Sequence, residues 1–266
     1  MSLLKREPRG YFVKDKIRAK DYMGIKKYSE KIRKLAGKAV NRYGMISSGD
    51  RVAAALSGGK DSYAMLESLA VRRKYIPIHY DILAVHVEVE NVPYRVNLDF
   101  MKSFCDELNV SLISRKITID FKEREKSTCF VCSWHRRKEL FGIAAEHKCN
   151  RLAFGHHMDD IIETLLMNMV FNGSISTMPP KISMFGGEFD IIRPLALVTE
   201  RELARYGRIR GIPDPVQACQ FGASSRRSDM KRIISEMEKL YRKARRNIYH
   251  SMMNIREEYL PRESEE

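Results

Sequence analysis

Apolar residues recur every three to four positions between residues 22 and 43, at Ile25, Tyr28, Ile32, Leu35, Ala36 and Val40, with lysines and arginines between them. That period predicts an amphipathic helix, and Gly44 is a natural stop. The pattern then changes. Residues 51–56 (RVAAAL) form a short unbroken apolar run, as a buried strand does, and lead straight into a glycine pair. A helical pattern resumes over 62–73, followed by a strand at 82–89 (ILAVHVEV), a helix over 98–108 and a strand at 111–117. Cys129 and Cys132 are expected in a loop ahead of a helix over 133–147. A strand at 151–154, a Gly155-His156-His157 loop and a helix over 159–171 come next. Proline and glycine interrupt 178–187 before a strand at 189–193, and beyond Cys219 the chain reads as helical and basic almost to its end.

Strands alternating with helices predict an α/β fold: a doubly wound, mostly parallel sheet covered on both faces, with helical N- and C-terminal extensions. The expected division is a basic helical segment over 1–45, an α/β domain over 46–218 and a basic helical extension over 219–266. In such sheets ligands bind beyond the carboxyl ends of the strands. Three notable sequences fall there: the glycine pair, His86 and Gly155-His156-His157. A chain of 266 residues, 44% hydrophobic, supplies one substantial core with helical appendages. No run approaches the ~18 apolar residues of a membrane span, and the N-terminal residues lack the apolar stretch of a secretory signal. A cytoplasmic protein without a membrane partner is expected.

The glycine pair lies in Ser57-Gly58-Gly59-Lys60-Asp61-Ser62. Two glycines let the backbone approach an anion, and the N–H groups opening the next helix point at it. Ser57 and Ser62 add hydroxyls, Lys60 a point charge, and Asp61 a carboxylate suited to magnesium. The spacing is not that of Walker A; an ordinary strand-to-helix turn is the alternative. The formal net charge of +14 favours polyanionic partners. Lysines and arginines concentrate toward the two ends, a distribution a small-molecule enzyme does not need. Five cysteines, an odd number, argue against a disulfide framework. Cys129-Phe130-Val131-Cys132 alone supports redox, zinc or iron–sulfur readings, and with Cys219 three thiolates suffice for a [4Fe–4S] site with one open iron. Cys105 and Cys149 read as core residues, and Trp134 as one too.

Here a resemblance enters. SGGKDS after an apolar strand resembles the PP-loop of the ATP pyrophosphatase superfamily (adenine nucleotide alpha hydrolase-like). SGGKDSYAMLE, CFVCSWHRRKELF, AFGHHMDDIIETLLMNM, MPPKISM and IIRPLA occur in the order of the tRNA 2-thiocytidine synthetase group. The likeness runs from about residue 28 to residue 256. It implies an ATP-dependent tRNA base thiolase: the enzyme adenylates O2 of the base, releases pyrophosphate and replaces the oxygen by sulfur. It implies ATP at Ser57, Gly58, Gly59, Lys60, Asp61, Ser62, His86, Gly155 and His156, and Mg2+ at Asp61 and Asp160. It implies a [4Fe–4S] cluster on Cys129, Cys132 and Cys219. Lys60, Asp61, Asp160 and Arg136 are the catalytic candidates, with Asp159 as a helper. Arg136, Arg137 and Arg193 could meet ATP or RNA phosphate, a solvated face being the bland alternative for the first two. The chain departs from the group at one place. The usual Pro-Cys-Asn-Leu-Cys stretch reads Pro215-Val216-Gln217-Ala218-Cys219, so only its second cysteine remains.

The expected partners are tRNA and a sulfur donor such as a cysteine desulfurase system, with a homodimer left open. A cytidine is the expected base, because zinc-binding Cys/His pairs typical of uridine-thiolating relatives are missing at both ends of the sequence. The competing readings are a PP-loop enzyme acting elsewhere, by small-molecule amidation or uridine thiolation, and a non-enzymatic RNA-binding module on a relic nucleotide fold.

Overall fold

The computed structural model describes residues 19–121, 128–217 and 226–261. The chain divides into two compact units: residues 1–157 with 180–221, and residues 158–179 with 222–266.

The first unit is built on a six-stranded sheet, ordered β3-β2-β1-β4-β6-β5. Its strands are β1 (Arg51–Ala55), β2 (Asp81–Val89), β3 (Ser111–Ile117), β4 (Arg151–Ala153), β5 (Lys181–Met184) and β6 (Phe189–Ile192). All pairings are parallel except β5 with β6. The chain winds outward from β1 through β2 to β3, then returns to the other side of β1 with β4. The switch of direction therefore falls between β1 and β4, where a parallel sheet opens a crevice at its carboxyl ends.

Side-chain alternation divides the core. Val52, Ala54, Ile82 and Ala84 face the layer formed by α1 (Ala19–Arg42), α2 (Lys60–Arg72), α3 (Leu98–Glu107) and α6 (Glu200–Ile209). Ala53, Ala55, Leu83, Val85 and Val87 face α4 (Thr128–Glu146) through Leu140 and Ile143. The two-residue period of the strands makes this division. In the second unit α5 (Met158–Asn172), α7 (Arg226–Leu240) and α8 (Ala244–Ser251) pack on one another, with Met230, Ile234 and Tyr249 buried. No helix among the described residues is long and apolar enough to cross a membrane.

Two local expectations are corrected. Cys129 and Cys132 are the second and fifth residues of α4, not part of a loop before it. Val131, buried with Val89, Val92 and Ile119, anchors this stretch, and the Ser133 hydroxyl donates to the Phe130 carbonyl at 2.9 Å. The stretch taken as a proline and glycine interruption contains β5, a four-residue edge strand. It turns into β6 through Phe185, Gly186 and Gly187, all at positive φ.

Candidate active site

β1 delivers the chain to the carboxyl edge of the sheet, where Leu56 still continues the ladder by donating its N–H to the Val85 carbonyl at 2.8 Å. The Leu56 carbonyl receives His86 Nδ1 at 2.7 Å. A carbonyl only accepts, so Nδ1 carries the proton. Burial pushes the His86 pKa down, and the Arg136 charge adds to it, against the bond to Leu56 and the nearby Glu88. His86 is thus a neutral, fully enclosed brace.

Gly58 turns the loop at φ +86, and a Cβ there would stand 2.3 Å from Val96 Cγ1, so no other residue fits. α2 then opens with no side chain capping it. The Ser62 and Tyr63 N–H groups turn back onto the Gly59 carbonyl, and the positive end of the helix favours an anion ahead of Lys60 and Asp61. The Ser62 hydroxyl donates to the Gly59 carbonyl at 2.8 Å and so braces the turn. Ser57 Oγ accepts from the Gly59 N–H at 3.3 Å. Lys60 Nζ stands 3.2 Å from Asp61 Oδ1, an oxygen shielded from solvent that accepts no hydrogen bond. A buried carboxylate oxygen with only an ammonium beside it suits a metal ion.

The loop after β4 closes on this one. A Cβ on Gly155 would sit 3.0 Å from the Asp61 carbonyl carbon and the Ser62 nitrogen, so glycine is what lets the loops meet. His156 is half-buried with its ring 5.5 Å from Phe154. His157 is buried and bridges to Leu195. From α6, Gly207 approaches Lys60, where an added Cβ would lie 3.0 Å from the lysine Cβ.

Cys129, Cys132 and Arg136 share one face of α4 at i, i+3 and i+7. Cys129 is exposed, Cys132 half-buried, and neither is in a disulfide. Arg136 places its guanidinium carbon 5.3 Å from the Tyr94 ring centroid, with its Nε buried and without a hydrogen bond. The Tyr94 hydroxyl donates to the Ser57 carbonyl at 3.1 Å. Tyr94 thereby joins the cysteine helix to the phosphate loop, a link no sequence motif signals. Its neighbour Arg95 was missed as well. One guanidinium donates to the carbonyls of Glu90, Val92 and Tyr94 at 2.7–2.9 Å and of Val89 at 3.3 Å. The Arg95 backbone also exchanges hydrogen bonds with Gln217, two residues before Cys219. Cys219 itself lies outside the described residues, and among the described residues no three His, Cys, Asp or Glu side chains gather as a metal site.

Arg137 folds back on the Ser133 carbonyl at 3.2 Å. Trp134, expected in the core, is 49% exposed, stacked edgewise on His135. Arg193 is buried, its backbone N–H donated to the Pro180 carbonyl at 2.8 Å. Cys105 and Cys149 are buried as expected, and burial pushes the Cys105 thiol up to about 12. Asp159 and Asp160 open α5 in the second unit, where they pair with Arg245 and Arg227 respectively.

A family model described as the PP-loop domain matches residues 26–214. A relative in Hahella chejuensis, a tRNA-cytidine(32) 2-sulfurtransferase, is 34% identical over 251 residues, 91% of this chain and 86% of the relative. The chain belongs to the PP-loop family, among the tRNA-cytidine(32) 2-sulfurtransferases. Another such relative of this PP-loop protein, from Polynucleobacter necessarius, is 36% identical over 86% of the chain and 77% of its own length. The U34-tRNA thiolase NcsA from Methanococcus maripaludis, solved with its [4Fe–4S] cluster, has the same fold. It shows a TM-score of 0.67 at 24% identity, over 88% of this chain and 79% of that one.

Proposed function

We propose that this chain thiolates a tRNA cytidine at C2, at the expense of ATP. The observation that carries the reading is the junction at the carboxyl ends of β1 and β4, where the phosphate loop meets the Gly155 loop directly and Arg136 of the cysteine helix through Tyr94. The relatives' activity supports the choice of substrate.

In this reading the N–H groups at the start of α2 and the Lys60 ammonium hold the ATP phosphates. Asp61 would hold magnesium, which neutralises phosphate charge when bound. The base oxygen O2 attacks the α-phosphorus, the bond to the β-phosphate breaks, and pyrophosphate leaves. Arg136, held over Tyr94, balances charge that develops on the phosphates. Sulfur from a donor such as a cysteine desulfurase system then adds at C2, and AMP departs with the former base oxygen. Cys129 and Cys132 fit as ligands of an iron–sulfur cluster, both thiols being on one face near the start of α4. Cys219 would be the third ligand; the Arg95–Gln217 bridge ties the chain two residues ahead of it onto the same segment that packs around Cys132. A cluster held on three thiolates would have an iron without a protein ligand and could supply sulfur there.

Nucleoside mass spectrometry of tRNA from cells with and without the gene tests the reading. 2-Thiocytidine should vanish in the deletion and return with the wild-type gene but not with Cys129→Ser. Loss of a thiouridine instead would move the activity to another base. Unchanged thionucleosides would end the thiolase reading.

A further inference from the structure

α1 and α6 pack against each other in the first unit. Along α1, Lys27, Lys31, Lys34 and Lys38 recur at i, i+4, i+7 and i+11, all exposed. Along α6, Arg201, Arg205 and Arg208 recur at i, i+4 and i+7, again all exposed. That spacing places each set on one helix face, with neighbouring Cβ atoms about 5–6 Å apart. The two stripes meet at Tyr28. The Arg205 guanidinium carbon lies 4.6 Å from its ring centroid and Lys31 Nζ 6.0 Å away, while its hydroxyl donates to the Glu202 carbonyl at 3.3 Å. Folding does not call for this arrangement, because like charges at i,i+4 destabilise a helix. Lys31 and Lys34 do pair with Glu202 and Glu30, both at 2.8 Å. The Lys34–Glu30 pair is exposed on both sides and yields readily to a phosphate, whereas the half-buried Glu202 holds Lys31 more firmly.

The α6 stripe lies on the helix whose inner face touches the phosphate loop. Gly207 stands between Arg205 and Arg208 in sequence and faces inward onto Lys60. A polyanion lying along the outer face of α6 is therefore one helix thickness from the residue that holds the ATP phosphates. We propose that the paired stripes of α1 and α6 are the surface on which the phosphate backbone of the RNA substrate lies. The inference rests on the tRNA reading above and adds where the substrate is held. An exposed double row of lysine and arginine around one half-buried tyrosine matches a phosphate backbone, which carries evenly spaced charge and asks for no apolar contact.

The full-length protein, unmodified tRNA and two double variants test it. Arg205→Gln/Arg208→Gln removes charge beside the loop; Lys34→Gln/Lys38→Gln removes it away from Tyr28. Fluorescence anisotropy across about 50–200 mM salt should show tRNA affinity falling about tenfold for each pair, with the log–log salt slope reduced by about 1.5–2. ATP affinity and the melting temperature should stay at wild-type values. Arg205→Lys/Arg208→Lys should recover most of the loss, and KM for tRNA should rise without a change in kcat. Wild-type affinity and slope in both glutamine pairs would overturn the inference. So would a loss of tRNA binding that tracks lost ATP affinity or melting temperature. So would binding of phosphatidylserine vesicles that depends on these residues while tRNA affinity does not. A wild-type protein that thiolates tRNA while both pairs match it removes the stripes alone. A wild-type protein that binds no tRNA removes the thiolase reading with them.

Discussion

Gly58 shows how little freedom the phosphate loop has. Its φ of +86 and the 2.3 Å approach to Val96 Cγ1 are separate obstacles to any side chain. Gly58→Ala should abolish measurable ATP binding in calorimetry and cost about 1–3 kcal/mol in urea unfolding. Adding Val96→Ala should recover part of the stability, since it relieves the contact but not the backbone strain. His86 gives a pH prediction. Burial holds its folded pKa below the ordinary value near 6.5, so the unfolded chain binds the proton more readily. Stability is then complete above about pH 6.5 and falls as the pH drops from there toward the folded pKa. Urea midpoints at pH 8 and pH 5.5 should differ in the wild type, and His86→Gln should shrink the difference. The glycine pair was legible at this scale because its chemistry is local. Tyr94 and Arg95 were not: their roles depend on a carbonyl of Ser57 and a backbone partner at Gln217, both fixed only by folding.

Among the elements, the strands were the most readable. β1 and β2 alternate between two cores, and parallel strands covered on both faces must be apolar throughout. The start of α4 was hidden because its apolar residues do not gather on one side, and only contacts of Val131 with β2 and its following segment reveal that the helix begins at Thr128. β5 was hidden by its length and its half-exposed Lys-Ile-Ser-Met sequence. The consequence for chemistry is the placing of Cys129 in a helical first turn and in solvent, with Cys105 and Cys149 buried. Brief treatment of the apo protein with a maleimide, followed by peptide mass mapping, should label Cys129 well before Cys105 or Cys149. Equal labelling of all three would contradict the structure. Arg95→Ala should release the segment over 90–97, seen as faster amide hydrogen exchange there, with β1 and β2 protected as before.

At the scale of the whole molecule, the two ends of the sheet do different work. At the amino end Asp190 joins Arg151 and Lys181, both at 3.1 Å, and Arg151 also meets Asp50 at 3.1 Å. Burial works against the Asp190 carboxylate, yet the Ser183 hydroxyl, Lys181 and Arg151 outweigh it and hold its pKa below the usual range. Asp190→Ala leaves Arg151 with Asp50 alone and Lys181 without a carboxylate, and should cost about 1–3 kcal/mol in chemical unfolding. ATP affinity, set at the opposite end, should survive in the fraction that remains folded. At the carboxyl end the helix α6 is bound on its inner side to the helix that opens at the phosphate loop. The Tyr206 hydroxyl donates to Glu67 Oε2 at 2.5 Å, and Arg210 donates to the same oxygen at 2.9 Å, while Gly207 rests on Lys60. These partners lie far apart in sequence, so no reading of the chain foresees them. They make α6 a part whose phase matters more than its composition. One residue inserted before Tyr206 would turn everything after it by about 100°, carrying Tyr206, Gly207 and Arg210 off their seats at once. Homologous chains should therefore never vary in the number of residues that separates Thr199 from Arg210.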